Sequence, residues 1–281
     1  MVDIKYTQNI YTNRTYLKDM VEIAKFSPDD TVLDIGAGEG IITKELSKYS
    51  KNVIAYELDD SYFNILSEDF ENVSSVILKK EDFLKADLPR QDFKIFSNIP
   101  FALTADIINK ITDTQSQLTE AYLFVQKESA ERFLGYPHNT QIAAILYSRY
   151  NFVIIADLDR EDFKPVPSVD IVLLKISRKE EQEKEYDLYR DFVAYIFNKS
   201  NRYVVDTFKK LFTEKQFEHI KKYLKENDLE KPSEISSKYY LETFQYFKTN
   251  GIKYRKKIEG FYKKYLEQHS RMEKLNRTRT L

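Results

Sequence analysis

The apolar positions of this chain change period repeatedly over its first 178 residues and then settle into a single one. From Asn13 onward Tyr16, Leu17, Met20, Val21, Ile23 and Ala24 recur on one broad face, which predicts a helix closed by Ser27-Pro28-Asp29-Asp30. Short apolar runs follow at Val32–Ile35, Asn52–Glu57, Ser75–Leu78, Phe93–Ser97 and Ala121–Gln126. Helical spacing near 41–49, 61–70, 104–111, 128–134 and 140–150, and a turn at Glu81-Asp82-Phe83, separate or follow these runs. Two late runs, Phe152–Ala156 and Ile171–Ile176, are joined by the proline-bearing loop Phe163–Ser168, which predicts an antiparallel pair. Strands alternating with helices predict a parallel sheet covered on both faces, with one antiparallel strand at its edge. Residues 1–12 keep no period and read as an extended arm.

At Arg178–Glu185 the pattern becomes polar and charge-dense, as expected of a linker. Beyond it only helical spacing appears, in faces such as Tyr189-Phe192-Val193-Ile196, Val204-Phe208-Leu211 and, after Pro232, Tyr239-Tyr240-Phe244-Phe247. Aromatic residues at that spacing signal core packing before they signal a base-stacking platform. The expected organisation is therefore an α/β domain over 1–178 and a small all-α domain over 186–281, with a basic helix from Gly251 to about Met272.

Charge sharpens this division. The net charge is −1, yet residues 1–185 carry 22 basic against 32 acidic side chains, and residues 186–281 carry 22 against 13. A basic half joined to an acidic half suggests a polyanion partner for the basic one. The absence of cysteine excludes disulfides, thiolate catalysis and cysteine-ligated metals, and three scattered histidines (His138, His219, His269) make no metal site. No run approaches the roughly 20 apolar residues of a membrane span, and the N-terminus lacks a secretory pattern, so a cytoplasmic protein is expected.

Candidate chemistry begins at Asp34-Ile-Gly-Ala-Gly-Glu-Gly40, a strand that breaks into glycines before a helix. Dinucleotide loops follow G-x-G-x-x-G, whereas here the third glycine position is Ile41, and Asp34 would repel a pyrophosphate. S-adenosylmethionine suits the loop better, since it has no phosphate and carries a cationic methionine half. Glu57, ending the second strand, is placed for its ribose, and Asp82, after the third, for its adenine amine, with Phe83 alongside. The fourth strand ends in Asn98-Ile-Pro-Phe101. An exocyclic adenine amine is a poor nucleophile because its lone pair is delocalised. Acceptors on Asn98 and the backbone near Pro100 would bind its two N–H groups and free that lone pair. Phe101 offers a stacking face for a base taken out of its helix.

With these motifs in order the chain resembles the ribosomal RNA adenine-N6 dimethyltransferases, the family of the erythromycin-resistance (Erm) enzymes and the small-subunit dimethyladenosine transferases. Gln8-Asn9 resembles its N-terminal Q-N-F, Tyr56-Glu57-Leu58-Asp59 its ribose strand, Asn98-Ile-Pro-Phe101 its N-[IL]-P-[FY] turn, and Phe163-Lys-Pro-Val-Pro167 its F-x-P-x-P loop. Ile10 stands where the family has phenylalanine, Phe101 where tyrosine is commoner, and Leu103 and Ile171 where serine is usual. The resemblance implies a Rossmann-like class I methyltransferase sheet and methyl transfer from S-adenosylmethionine to N6 of an rRNA adenine. By that resemblance Gln8, Asn9, Tyr11, Gly36, Gly38, Glu57, Leu58, Asp82, Phe83 and Asn98 hold the cofactor, Asn98 and Pro100 position the amine, and Phe101 and Phe163 sandwich the base. Phe212-Thr-Glu-Lys-Gln-Phe217 and Tyr240-Leu-Glu-Thr-Phe244 resemble the Erm helical domain, which implies 23S rather than 16S rRNA, a monomer and macrolide-type resistance. A small-subunit enzyme and a non-catalytic nucleic-acid-binding factor on the same fold are the alternatives.

Overall fold

The computed structural model of the protein describes residues 9–199 and 203–268. It divides into two compact units, one built from the chain up to Glu131 with Asn151–Arg178, the other from Arg132–Tyr150 with the chain from Lys179 onward.

In chain order the first 178 residues form β1 (Ile10–Tyr11), α1 (Arg14–Ala24), β2 (Thr31–Ile35), α2 (Ile41–Leu46), β3 (Asn52–Tyr56), α3 (Asp60–Asp69), β4 (Val76–Lys79), β5 (Phe93–Asn98), α4 (Thr104–Ile111), β6 (Leu118–Gln126), α5 (Lys127–Leu134), α6 (Gln141–Leu146), β7 (Tyr150–Leu158), β8 (Phe163–Lys164) and β9 (Ile171–Arg178). Seven strands make one sheet in the order β4-β3-β2-β5-β6-β9-β7. The first five of these run parallel, and β9 runs antiparallel to β6, with Leu123 opposite Leu174. This is the expected mainly parallel sheet, its antiparallel strand lying one place in from the β7 edge. All five residues of β2 are buried, as a central strand covered on both faces requires. Helix α1 begins where the Asn13 side chain accepts from Tyr16 N–H and stops at Lys25 in a left-handed conformation. Its inner face sets Leu17, Met20 and Val21 into a core with Val32, Phe96 and Phe124.

A two-stranded ribbon was not visible in the apolar pattern. Ile10 pairs with Lys164 and Tyr11 with Phe163, so the N-terminal arm is fastened to the proline loop.

The second unit contains α6, α7 (Tyr186–Asn198), α8 (Val204–Phe208), α9 (Glu214–Glu226), α10 (Ser237–Tyr246) and a helix over 261–268. The grouping of 132–150 with these helices departs from the expected boundary. Ala144 and Ile145 of α6 belong to the helical core, and Tyr189 Oη donates to the Ala144 carbonyl at 2.7 Å. The aromatic stripes are core, with Tyr189 and Phe244 5.2 Å apart and Phe192 and Phe247 5.3 Å apart between ring centres. The Phe212–Phe217 motif now has a physical reading. Thr213 and Gln216 form a capping box at the start of α9, and Phe212 and Phe217, both buried, flank it as a hydrophobic staple. The chain after Gly251 is also less of a tail than expected. Ile258 is fully buried, and the Asp191 carboxylate accepts from Gly260 N–H at 2.7 Å and Tyr262 N–H at 2.8 Å. The expected end of that helix near Met272 lies outside the described residues.

Candidate active site

The candidate residues converge on the edge of the sheet where parallel strands end, on either side of the point where the order reverses between β2 and β5. Open α/β sheets bind ligands there, because the chain leaves neighbouring strands in opposite directions and opens a crevice. Gly36 and Ala37 donate to the Tyr56 carbonyl at 2.8 and 3.0 Å, which folds the glycine loop across the end of β3. Gly38 has φ +54° and nothing within 4 Å of where a side chain would start, so its backbone is open to a ligand. Gly40 has φ +76° and serves packing instead, since a Cβ there would lie 2.6 Å from Leu66 and 2.9 Å from Phe70.

A cleft lies along this loop, walled by Asn9, Ile10 and Tyr11 of the arm, Gly36–Glu39, and Asn98–Pro100, with Asp34 in its lining. Asn98 Nδ2 donates to the Asn9 carbonyl at 2.6 Å. Its Oδ1 is shielded from solvent and has no hydrogen-bond partner among the described residues. A buried acceptor left without a donor costs about 1–3 kcal/mol, which a ligand N–H at the cleft would recover. The Pro100 carbonyl accepts from Leu103 N–H at 2.9 Å, which closes the turn and leaves its second lone pair available.

Two buried carboxylates support the loop. Glu57 Oε2 accepts from Gly38 N–H at 2.8 Å, while Oε1 accepts from Leu58 and Asp59 N–H at 2.7 and 2.8 Å. Asp34, 1% exposed, accepts from Thr43 Oγ1 at 2.7 Å. Burial outweighs that hydrogen bond and pushes its carboxyl up to about 7, with the nearby Glu57 charge adding to the shift.

Asn9, Tyr11, Gly36, Gly38, Asn98 and Pro100 thus come together at the cleft. Glu57, Leu58, Asp82 and Phe83 follow β3 and β4 along the same edge but outside the cleft lining, and Gln8 lies outside the described residues. Leu58 is 50% exposed, an apolar surface beside Glu57. Asp82 closes its own turn by accepting from Leu84 N–H at 3.0 Å. The Phe83 ring is buried edge-on against Tyr56 at 5.2 Å, with the Lys110 ammonium 5.3 Å from its centre.

Phe163 is buried too. The ring expected to sandwich a base with Phe101 is fully buried, packed edge-on against Tyr11 at 5.0 Å and Phe124 at 6.2 Å. It stands 6.5 Å from Phe101, the two rings inclined at 62°. Phe101 alone keeps a partly exposed ring.

Three residues were overlooked in the sequence. Ser97, fully buried, accepts from Ile35 N–H and donates to the Ile35 carbonyl, joining β5 to β2 below the cleft. Thr43 holds Asp34. Asp162 ties down the arm, its backbone carbonyl accepting from Thr12 N–H at 2.7 Å and its carboxylate from Asn13 Nδ2 at 3.1 Å. The available signals were a serine inside an apolar strand and a carboxylate directly before the Phe-x-Pro-x-Pro loop.

The sequence model of the ribosomal RNA adenine dimethylase family matches residues 2–249. This chain belongs to that family. It is 34% identical over 230 residues, 81% of its length, to an rRNA adenine N-6-methyltransferase of Escherichia coli, covering 90% of that protein. An rRNA adenine N-6-methyltransferase of Streptococcus pneumoniae is 33% identical over 255 residues, 89% of this chain and 99% of that one. The ribosomal RNA small subunit methyltransferase A of Thermotoga neapolitana is 36% identical over 189 residues, 66% of this chain and 71% of that one. The crystal structure of the 23S rRNA methyltransferase ErmE shares the fold with a TM-score of 0.76 at 22% identity, covering 85% of this chain and all of that one. As an rRNA adenine dimethylase family member, the protein is an rRNA adenine methyltransferase. Among its described residues no helix is long and apolar enough to cross a membrane.

Proposed function

We propose that this protein transfers a methyl group from S-adenosylmethionine to N6 of an adenine in 23S rRNA, acting as a cytoplasmic monomer and conferring macrolide-type resistance. The observation that carries the reading is the orphaned Asn98 Oδ1 beside the glycine-loop cleft. An adenine amine supplies the missing donor, and the Pro100 carbonyl has a lone pair for its second N–H. Bound in this way, the nitrogen turns toward tetrahedral geometry with its lone pair free for the methyl carbon. The product ammonium is acidic enough to lose its proton to water, so no protein base is required.

The residues present fit the donor. S-adenosylmethionine supplies an electrophilic methyl on a sulfonium. The open Gly38 backbone accommodates its methionine half, Glu57 has one acceptor site left for a ribose hydroxyl, and the exposed Leu58 offers apolar contact. Phe101 is the stacking face for the target base.

The 23S reading draws on the sequence resemblance to the Erm enzymes, and the capping motif of α9 speaks for the fold of the helical unit and not for its substrate. The Thermotoga relative favours 16S rRNA as the second reading. Mass-spectrometric mapping of N6-methyladenine on separated subunits, with and without the protein expressed, tests both. New methylation confined to the small subunit would replace the 23S assignment, and none on either would remove the function.

A further inference from the structure

The Asn98 amide is held in one of its two orientations. Its Nδ2 lies 2.6 Å from the Asn9 carbonyl, so the reversed amide would bring two oxygens to that distance. This orientation matters to the chemistry. An oxygen facing the target amine accepts N–H and leaves the lone pair free, whereas an NH2 would donate into that lone pair and withdraw it from the methyl carbon.

What places the Asn9 carbonyl is a clasp. The arm pairs with the proline loop through Ile10–Lys164 and Tyr11–Phe163, and Asn9 Nδ2 donates to the Pro165 carbonyl at 2.6 Å. The clasp ends on Asp162. Its backbone carbonyl accepts from Thr12 N–H at 2.7 Å and Thr12 Oγ1 at 2.9 Å. Its carboxylate accepts from Asn13 Nδ2 at 3.1 and 3.2 Å and from Tyr11 Oη at 3.4 Å. The other end of the Asn13 amide caps α1, so the carboxylate fixes the arm to the first rigid turn that follows it.

We propose that Asp162 is a positioning residue for methyl transfer: by fastening the arm to the proline loop it holds the Asn9 carbonyl against Asn98 Nδ2 and keeps Oδ1 turned toward the amine. It touches no reactant. The inference rests on the amine-positioning role given to Asn98 above.

The test compares the wild type with Asp162→Ala and Asp162→Asn, using full-length protein and rRNA from cells that do not express it. Turnover is measured beside the affinity and stoichiometry of S-adenosylmethionine binding by calorimetry. Asp162→Ala is expected to lower kcat by about ten- to a hundredfold, as a misplaced reacting group does, with a much smaller change in S-adenosylmethionine affinity per active site. Asp162→Asn keeps an acceptor for Asn13 and a polar partner for Tyr11, and is expected to recover most of the turnover. Wild-type kcat in Asp162→Ala would overturn the proposal. So would a loss that vanishes on normalising to binding-competent protein, or an Asp162→Asn as impaired as the alanine variant. A wild type that makes no N6-methyladenine would instead remove the reading of Asn98, and this inference with it.

Discussion

Glu57 and Gly38 are joined by a hydrogen bond of 2.8 Å from backbone N–H to carboxylate, so the acidic end of one strand holds the glycine turn that follows its neighbour. Glu57→Ala strands the Gly38, Leu58 and Asp59 amides at once. The expected outcome is a loss of about 1–3 kcal/mol in chemical unfolding, mainly from the buried Gly38 donor left unsatisfied, and at least tenfold weaker S-adenosylmethionine binding by calorimetry.

Gly38 and Gly40, both left-handed, separate by the same measurements. Gly38→Ala meets no neighbour and carries only the conformational cost, about 1–2 kcal/mol, but its methyl obstructs backbone approach and weakens cofactor binding. Gly40→Ala adds contact with Leu66 and Phe70 to a similar cost and is expected to give the larger fall in Tm.

Asn98→Ala removes the amine acceptor without touching the glycine loop. Methyl transfer is expected to fall below detection while S-adenosylmethionine affinity stays within a few-fold. Full activity in this variant would refute the amine-positioning role.

Asp34 gives the molecule a pH dependence of known sign. Its carboxyl titrates near 7 in the folded state against about 3.9 unfolded, so folding favours the protonated form. Its contribution to stability is complete below pH 4 and is lost as pH rises toward 7. Asp34→Asn removes that titration. The stability difference between variant and wild type is therefore expected to grow in the variant's favour from pH 5 to pH 8, measured by urea unfolding.

In the helical unit the partly exposed Lys248 ammonium donates to the buried Glu183 carboxylate, at 2.9 Å to both oxygens. Burial alone would raise the Glu183 carboxyl, but Lys248 and the Glu185 amide outweigh it and hold it below the usual range. Lys248→Met takes the cation away but leaves the donors from Glu185 and Gln245, and is expected to cost about 1–3 kcal/mol, with Glu183→Gln in the same chain recovering part of it.

The basic half calls for a different truncation from one at Gly251, which would remove Ile258 from the core. Removing 269–281 takes four basic and one acidic side chain and spares every described contact. RNA affinity is expected to keep its steep fall with salt but with a shallower log–log slope, by about 0.7–0.9 for each RNA phosphate that the shortened chain leaves unneutralised.

Much of this was legible in the order of apolar runs. The central strands, the glycine turn and Asn98 at the end of β5 each announce themselves by a local pattern. The β1–β8 pairing does not, because two-residue strands have no period and their partners are far apart in the chain. Phe163 escapes a sequence reading for a related reason: an aromatic beside prolines says that a loop is rigid, not which way its ring turns. The apolar face of α6 was visible, but a face does not say which neighbour it will meet. Phe83 combines both difficulties, since its turn is recognisable and its burial against Tyr56 is not.

The clasp also sets an order of events in the making of the protein. Asn9 binds Pro165 across 156 positions of sequence, so one wall of the cleft cannot form until the far side of the domain has been synthesised. A nascent chain emerging from a ribosome carries the glycine turn and then Asn98 long before it can close the arm over them. Catalytic competence arrives late in translation, well after the motifs by which it is recognised.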